Sequence, residues 1–311
     1  MTKKNNPNNR CEETMTKKNN PTILITGAMG NVGRELTKQL SAQKIPFRVM
    51  VRSIKGAEAL SALEGVEVVV GDFDDAETVA QALQGMERAF LLTNSSERSE
   101  TQQSTFIDVA RRAGVKHIVK LSQWAASPDS PVRFLRYHAA VERKMRESGL
   151  AYTFLRPNLF MQEFLAFRET IIGQGRFFAA AGEAKISAVD VRDIAAVAAA
   201  ALAEEGYEGK TYNITGPEAL SHGEIGEKLS GVLGRRIDFV DVPPEAMRET
   251  FIGFGMPVWQ ADGLIELYAH YSRGEASEVT TGVQDATGKP PRSFDDFARD
   301  YAHAFSPLVS K

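Results

Sequence analysis

Thr22-Ile-Leu-Ile-Thr26, running straight into Gly27-Ala-Met29-Gly30-Asn31-Val32-Gly33, is the stretch that decides how this chain is read. The first part is a compact apolar run of strand type. After it, Val32, Leu36 and Leu40 recur every fourth residue, which predicts a helix. Between the two lie three glycines. A Gly-x-x-Gly-x-x-Gly string means little alone, but strand before and helix after make it informative. A side chain at these positions would hold a pyrophosphate away from the backbone. The helix N-terminus beyond them offers unpaired N–H groups and the positive end of its dipole. A Gly-rich turn without function is the competing reading, and the strand-to-helix context counts against it. Thr26 through Gly33 are therefore expected to seat the phosphates of a nucleotide.

Reading onward, short β-rich runs alternate with helical ones. Pro46–Val51, Val66–Val70, Arg88–Leu92, His117–Leu121 and Ala151–Leu155 read as strands, with helices near 56–64, 76–85, 98–114 and 133–149. Such alternation predicts a parallel sheet covered on both faces, an α/β Rossmann-type doubly wound fold. Past Arg156-Pro157 the pattern changes. Segments rich in Phe, Gly and Ala precede a helix opening at Asp190, and Lys210–Ile214 is expected to return to the main sheet. From Ser221 the chain reads as mostly helical, with capping-box starts at Ser221-His-Gly-Glu224 and Ser293-Phe-Asp-Asp296. The expected domains interleave: residues 21–165 with about 190–215 bind the nucleotide, and about 166–189 with 216–311 form a smaller substrate-binding cap.

The end of the second strand distinguishes two cofactors. An acidic residue there would hold the ribose 2′-hydroxyl of NAD, yet no Asp or Glu occurs from Ser41 to Ala57. The strand ends instead in Val51-Arg52-Ser53-Ile54-Lys55, and a guanidinium suits a 2′-phosphate. NADP(H) is thus expected in preference to NAD(H), against the alternative of a solvated strand-end arginine. Asp72 and Phe73, ending the third strand, are placed to meet the adenine; Asp72 also suits a helix cap.

Together these residues resemble the extended short-chain dehydrogenase/reductase superfamily, and more closely its atypical NmrA-like branch of triphenylmethane, quinone and azo-dye reductases. The resemblance runs from Thr22 to about Phe305. It is carried by the glycine loop, Val51-Arg52-Ser53, Gly71-Asp72, His138-Ala-Ala-Val-Glu142, Tyr152-Thr-Phe-Leu-Arg156-Pro157 and Val189-Asp-Val-Arg-Asp193. It implies that Leu92, Thr93 and Asn94 line the cofactor, and that Pro157, Asn158, Leu159 and Phe160 pass beside the nicotinamide. Asn158 and Phe160 there, Met161 in the apolar run that follows, and Trp124, just past the fifth strand where the active-site loop starts, are the expected substrate contacts.

One departure from the superfamily is informative. Its active members use a Ser/Thr with a Tyr-x-x-x-Lys pair, and no Tyr-x-x-x-Lys occurs anywhere in this chain. The Tyr position falls on Phe134, the Lys position on His138, and the Ser/Thr position on Ser122 or Gln123. Phe134 has no proton to give. Reduction by hydride alone remains open for electron-poor acceptors: a cationic dye, an iminium, a quinone or an azo bond. Water or His138 would supply any proton needed; a contact from His138 to the cofactor ribose weighs equally with a surface histidine paired with Glu142 one turn on. Phe160, Phe164 and Phe167, with Phe251, Phe254, Met256 and Trp259, supply aromatic bulk for a pocket or simply for the cap's core. The other reading is a non-catalytic redox sensor that binds NADP(H) and a protein partner. Sugar-nucleotide epimerisation, which needs the tyrosine, is disfavoured.

Bulk properties narrow the rest. With 43% hydrophobic and 25% charged residues the 311-residue chain is ordinary globular protein, and its net charge of −3 shows no basic stripe for nucleic acid. The single cysteine, Cys11, rules out an internal disulfide, and the five histidines have no metal-ligand spacing. No run is apolar enough to span a bilayer, so a cytoplasmic protein, monomeric or homodimeric, acting on a small aromatic or quinonoid substrate is expected. Residues 1–20, in which Met1-Thr-Lys-Lys-Asn-Asn-Pro7 recurs as Met15–Pro21, read as a disordered tail with a duplicated start.

Overall fold

The computed structural model describes residues 21–306, so the expectation for the N-terminal tail lies outside the described residues. Strand β1 (Ile23–Ile25), helix α1 (Asn31–Ala42), β2 (Phe47–Val51), α2 (Glu58–Ser61), β3 (Val66–Val70) and α3 (Ala76–Leu83) form one half of the nucleotide fold. The other half is β4 (Arg88–Leu91), α4 (Ser99–Arg112), β5 (His117–Leu121), α5 (Arg133–Glu147) and β6 (Ala151–Pro157). Beyond it come α6 (Arg168–Gln174), β7 (Arg176–Ala179), β8 (Lys185–Ile186), α7 (Val191–Ala203) and β9 (Lys210–Ile214). The remainder is β10 (Leu220–Ser221), α8 (His222–Leu233), β11 (Asp238–Asp241), α9 (Pro244–Gly253), α10 (Val258–Ser272), α11 (Gly282–Thr287) and α12 (Phe294–Asp300).

Seven strands form one parallel sheet in the order β3-β2-β1-β4-β5-β6-β9. The order reverses between β1 and β4, and such a switch point leaves a crevice above the carboxyl ends of the strands. The inner strands β1, β4 and β5 are buried on both faces, as a parallel sheet demands. On one side Val32, Leu36 and Leu40 of α1 meet the alanine-rich α7, whose small side chains let the two helices approach. On the other, Phe106, Ile107 and Ala110 of α4 and Val141 and Met145 of α5 cover Leu24, Leu91 and Phe154. Lys210–Ile214 returns to the sheet beside β6, as expected.

The cap has its own core, built from Phe164, Phe177, Ile225, Phe294, Phe297 and Phe305. Both capping boxes are formed, at Ser221 with Glu224 and at Ser293 with Asp296. The cap also holds two small sheets, β7 with β11 and β8 with β10, where the sequence reading expected helices and irregular segments. The helix expected over 56–64 shrinks to Glu58–Ser61 between Gly56 and Gly65, both at positive φ (88° and 77°). No helix among the described residues is long and apolar enough to cross a membrane.

Candidate active site

The glycine loop is shaped by close contacts. Gly27 sits at φ +67°, and a Cβ there would stand 2.7 Å from Cγ of Leu92, the residue following β4. Gly33 is tighter: its Cβ would meet the Gly27 carbonyl oxygen at 2.2 Å and the Ala28 Cα at 2.7 Å. Gly30 differs, because a Cβ there would come only to 3.4 Å of the Gly27 oxygen. It serves as the N-cap of α1 with no side-chain hydrogen bond. The N–H groups of Asn31, Val32 and Gly33, in the first turn, have no carbonyl four residues back to bond within the helix. They form an open, positively polarised end at the sheet's switch point, and this cradle fits a pyrophosphate. Met29, Gly30 and Asn31 are exposed, while the Val32 side chain is buried against the sheet, so only its backbone faces outward.

Thr26, at the head of the loop, uses its side chain within the sheet. Its hydroxyl is buried and shared among the Phe90 and Leu92 carbonyls and the Leu92 N–H, at 2.8, 3.1 and 2.9 Å. It clips the ends of β1 and β4 together and so sets the loop's height. Thr93 is half-buried and accepts from Gln103 at 2.8 Å; Asn94 is exposed. Arg52 is exposed at the end of β2 with no ion pair among the described residues. Asp72 is not the helix cap: Asp75 caps α3, and the Asp72 carboxylate accepts from Asp74 N–H in a tight turn. Phe73 is half-buried, its ring 5.7 Å from that of Phe106.

Past β5 and β6 the residues divide. Pro157 is buried and its carbonyl accepts the Trp124 N–H. Trp124 is itself buried, and its indole N–H goes to the Glu275 carbonyl at 3.0 Å. The amide of Asn158 donates to Ser187 Oγ and to the Ala276 carbonyl at 2.9 and 2.8 Å. Met161 is 1% exposed in the cap core. Trp124, Asn158 and Met161, expected to meet substrate, are all buried; the indole N–H of Trp124 and the amide of Asn158 bond to the Glu275 and Ala276 carbonyls, and Met161 packs in the cap core. Phe160 is half-buried, bridged to Val189. Phe164 belongs to the cap core and Phe254 is 86% exposed, so the aromatic residues do not gather into one wall.

The two residues weighed for the Ser/Thr position are separated by the structure. Ser122 Oγ donates to Glu142 at 2.6 Å and is buried, so its one proton is taken. Gln123 is half-buried with no side-chain hydrogen bond among the described residues. Glu142 is fully buried; burial pushes its carboxyl up, but a two-point contact with Arg156 (2.8 and 2.5 Å) and the Ser122 hydroxyl outweigh that and hold it low. Arg146 closes the cluster at 3.0 Å.

His138 is consequently not paired with Glu142, nor is it on the helix surface. It is 8% exposed, and its Nδ1 lies 2.7 Å from Nζ of Lys120 on β5. Burial, then the Lys120 charge, holds the imidazole well below its ordinary pKa. Lys120 escaped the sequence reading. It is fully buried, and burial pushes its ammonium down to about 7. Tyr137, its ring tilted against that of His138 with centroids 4.2 Å apart, shares a hydrogen bond with Ser95; burial raises its phenol to about 12. Phe134 lies against α10: a Cβ on Gly263 would sit 2.4 Å from its Cζ, and Trp259 packs at 5.4 Å. A phenol oxygen added at that Cζ would point into α10.

The NmrA-like family profile matches residues 19–297. The chain belongs to the NmrA-like family. It is 38% identical over 283 residues to an NAD(P)H azoreductase of Xenophilus azovorans, covering 91% of this chain and 99% of that one. An NADPH-dependent quinone oxidoreductase of Escherichia coli, solved with NADPH, superposes with a TM-score of 0.81 at 28% identity, over 91% of this chain and 99% of that one. The triphenylmethane reductase of a Citrobacter species, solved with NADP(H), gives 0.79 at 28% identity over 90% and 99%. This NmrA-like protein thus shares its fold, over about nine-tenths of the chain, with NADPH-dependent oxidoreductases.

Proposed function

We propose that this NmrA-like protein is an NADPH-dependent reductase that delivers hydride to an electron-poor small molecule, such as a quinone, a cationic or azo dye, or an iminium. The observation that carries the reading is Phe134 seated on Gly263, at the position where a tyrosine acid is expected, with His138 one turn on at the lysine position. With no phenol to protonate a carbonyl oxygen, the acceptor must be reactive toward hydride without acid catalysis.

The reduced nicotinamide, when bound, supplies the hydride. The chain's residues do the remainder. The first-turn N–H groups of α1 hold the pyrophosphate. Arg52, exposed and without an ion pair among the described residues, selects NADP(H) over NAD(H) through the 2′-phosphate. His138 and Gln123, at the ends of α5's first turns and of β5, are the polar groups left to touch the ribose or the acceptor. Ser122, its hydroxyl donating to Glu142, holds the strand end in place.

A non-catalytic NADP(H) sensor is the second reading, favoured by that engaged Ser122. The deciding experiment is NADPH oxidation against a panel of quinones, triarylmethane dyes and azo dyes. Turnover with at least one supports the reductase; binding of NADPH with no oxidation above the acceptor-free control overturns it.

A further inference from the structure

Lys120 is the only lysine among the buried side chains of the described residues. It stands in β5 between Val119 and Leu121, and its Nζ reaches Nδ1 of His138 at 2.7 Å and the Leu121 carbonyl at 3.3 Å. Packing does not call for it, since methionine would fill the same volume without a buried charge. The charged groups facing the pair are Glu142 on α5 and Arg156 on β6. Glu142 is already closed off by Arg156, Arg146 and Ser122. Tyr137 packs against the imidazole at a tilt, with its hydroxyl turned to Ser95.

An ammonium has no lone pair. While Lys120 is charged it donates to His138, so Nδ1 must accept and the ring's proton stands on Nε2. Nε2 has no partner among the described residues, yet it is not sealed from solvent as His117 Nδ1, His222 Nδ1 and His270 Nε2 are. We propose that Lys120 is a positioning residue for His138 that fixes its tautomer and resupplies its proton, so that the pair delivers one proton through Nε2 to the reduced acceptor. This rests on the reductase reading above.

The step balances. Hydride addition to a quinone or azo acceptor leaves an anionic oxygen or nitrogen. That atom takes the proton from Nε2, and Nδ1 takes one from the Lys120 ammonium. The products are protonated acceptor, Nδ1–H imidazole and neutral amine. Water then reprotonates Nε2 as Nδ1–H returns its proton to Nζ. Burial brings Lys120 to about 7, so it gains and loses this proton near neutrality. The same burial keeps the imidazole from holding two protons.

A triarylmethyl cation becomes neutral on taking hydride and needs no proton, which makes the two acceptor types a direct test. The full chain, its Lys120→Met and its Lys120→Arg variants are compared with NADPH and either a quinone or a cationic dye. The quinone-to-dye rate ratio is expected to fall at least tenfold in both variants, and the decline of quinone reduction above about pH 7 to vanish. Nitrogen NMR of labelled histidine should show His138 as the Nε2–H tautomer in the parent and in Lys120→Arg, and a changed Nδ1 signal in Lys120→Met. An unchanged ratio, or an unchanged His138 spectrum in Lys120→Met, overturns the proposal. Should Lys120→Met fail to fold, the ratio in Lys120→Arg decides. Should the parent reduce neither acceptor, the reductase reading fails, while the NMR comparison still decides whether Lys120 sets the tautomer.

Discussion

Two alanines, at Gly33 and Gly30, separate the loop's structural role from its binding role. At Gly33 the new methyl meets backbone, with the Gly27 oxygen at 2.2 Å and the Ala28 Cα at 2.7 Å, and no side chain can swing away. Overpacking of this kind costs about 1–3 kcal/mol, partly offset by the roughly 0.5–1 kcal/mol that alanine gains over glycine in a helix. A net loss of about 1–2 kcal/mol should lower the melting temperature by several degrees, at roughly 2–4 °C per kcal/mol for a chain near this size. At Gly30 the methyl finds its nearest neighbour, the Gly27 oxygen, at 3.4 Å, so the fold should tolerate it. The weaker helix cap and the stiffer unfolded chain oppose each other at under about 1 kcal/mol each. The methyl does stand before the open helix end, and NADPH affinity should drop at least about tenfold, equal to 1.4 kcal/mol. Circular dichroism melts of the unliganded protein and NADPH fluorescence titrations measure the two effects. Gly30→Ala that binds NADPH like the parent, or Gly33→Ala that melts like the parent, would refute the reasoning.

Arg52→Ala should weaken NADPH by about tenfold, within the range of a charged hydrogen bond, and leave NADH binding where it was; equal losses for both would remove Arg52 from the 2′-phosphate. Phe134→Tyr should give no new reduction of simple aldehydes or ketones, because its hydroxyl would be driven into Gly263; NADPH-dependent ketone turnover in that variant would contradict the packing argument. His222, buried among Phe164, Phe177 and Phe239, has its imidazole pushed down to about 4 by burial. The unfolded chain then binds more protons between about pH 4 and 6.5, so stability is full above that window and is lost as pH falls through it, by up to about 3 kcal/mol. Urea midpoints of the parent and His222→Phe at both ends of the window check this, and the variant should show a shallower acid-side loss.

The fold was legible because the parallel strands, the glycine loop and the capping boxes are local patterns whose partners follow from geometry. Side-chain commitments were less so. Thr26, Trp124, Asn158 and Met161 lie at or near strand ends, where residues face either the crevice or the neighbouring element, and only three-dimensional partners distinguish these. The His138–Glu142 spacing suggested an i,i+4 pair, yet Arg156 from β6 and Ser122 from β5 claim the carboxylate, contacts that no helical spacing reveals. Lys120 did leave a signal: a lysine inside His117–Leu121, a run that a doubly covered parallel sheet must bury, needs a partner. The cap's strand Asp238–Asp241 was hidden because it pairs with β7, some sixty residues away in sequence.

The most direct test of hydride delivery without a tyrosine acid is a single turnover of NADPH, deuterated at its transferring carbon, with a triarylmethyl cation dye. The account predicts a colourless product with deuterium on its central carbon and a rate insensitive to solvent deuterium. Hydrogen from solvent at that carbon, or a dye that keeps its colour while NADPH is bound, would contradict it.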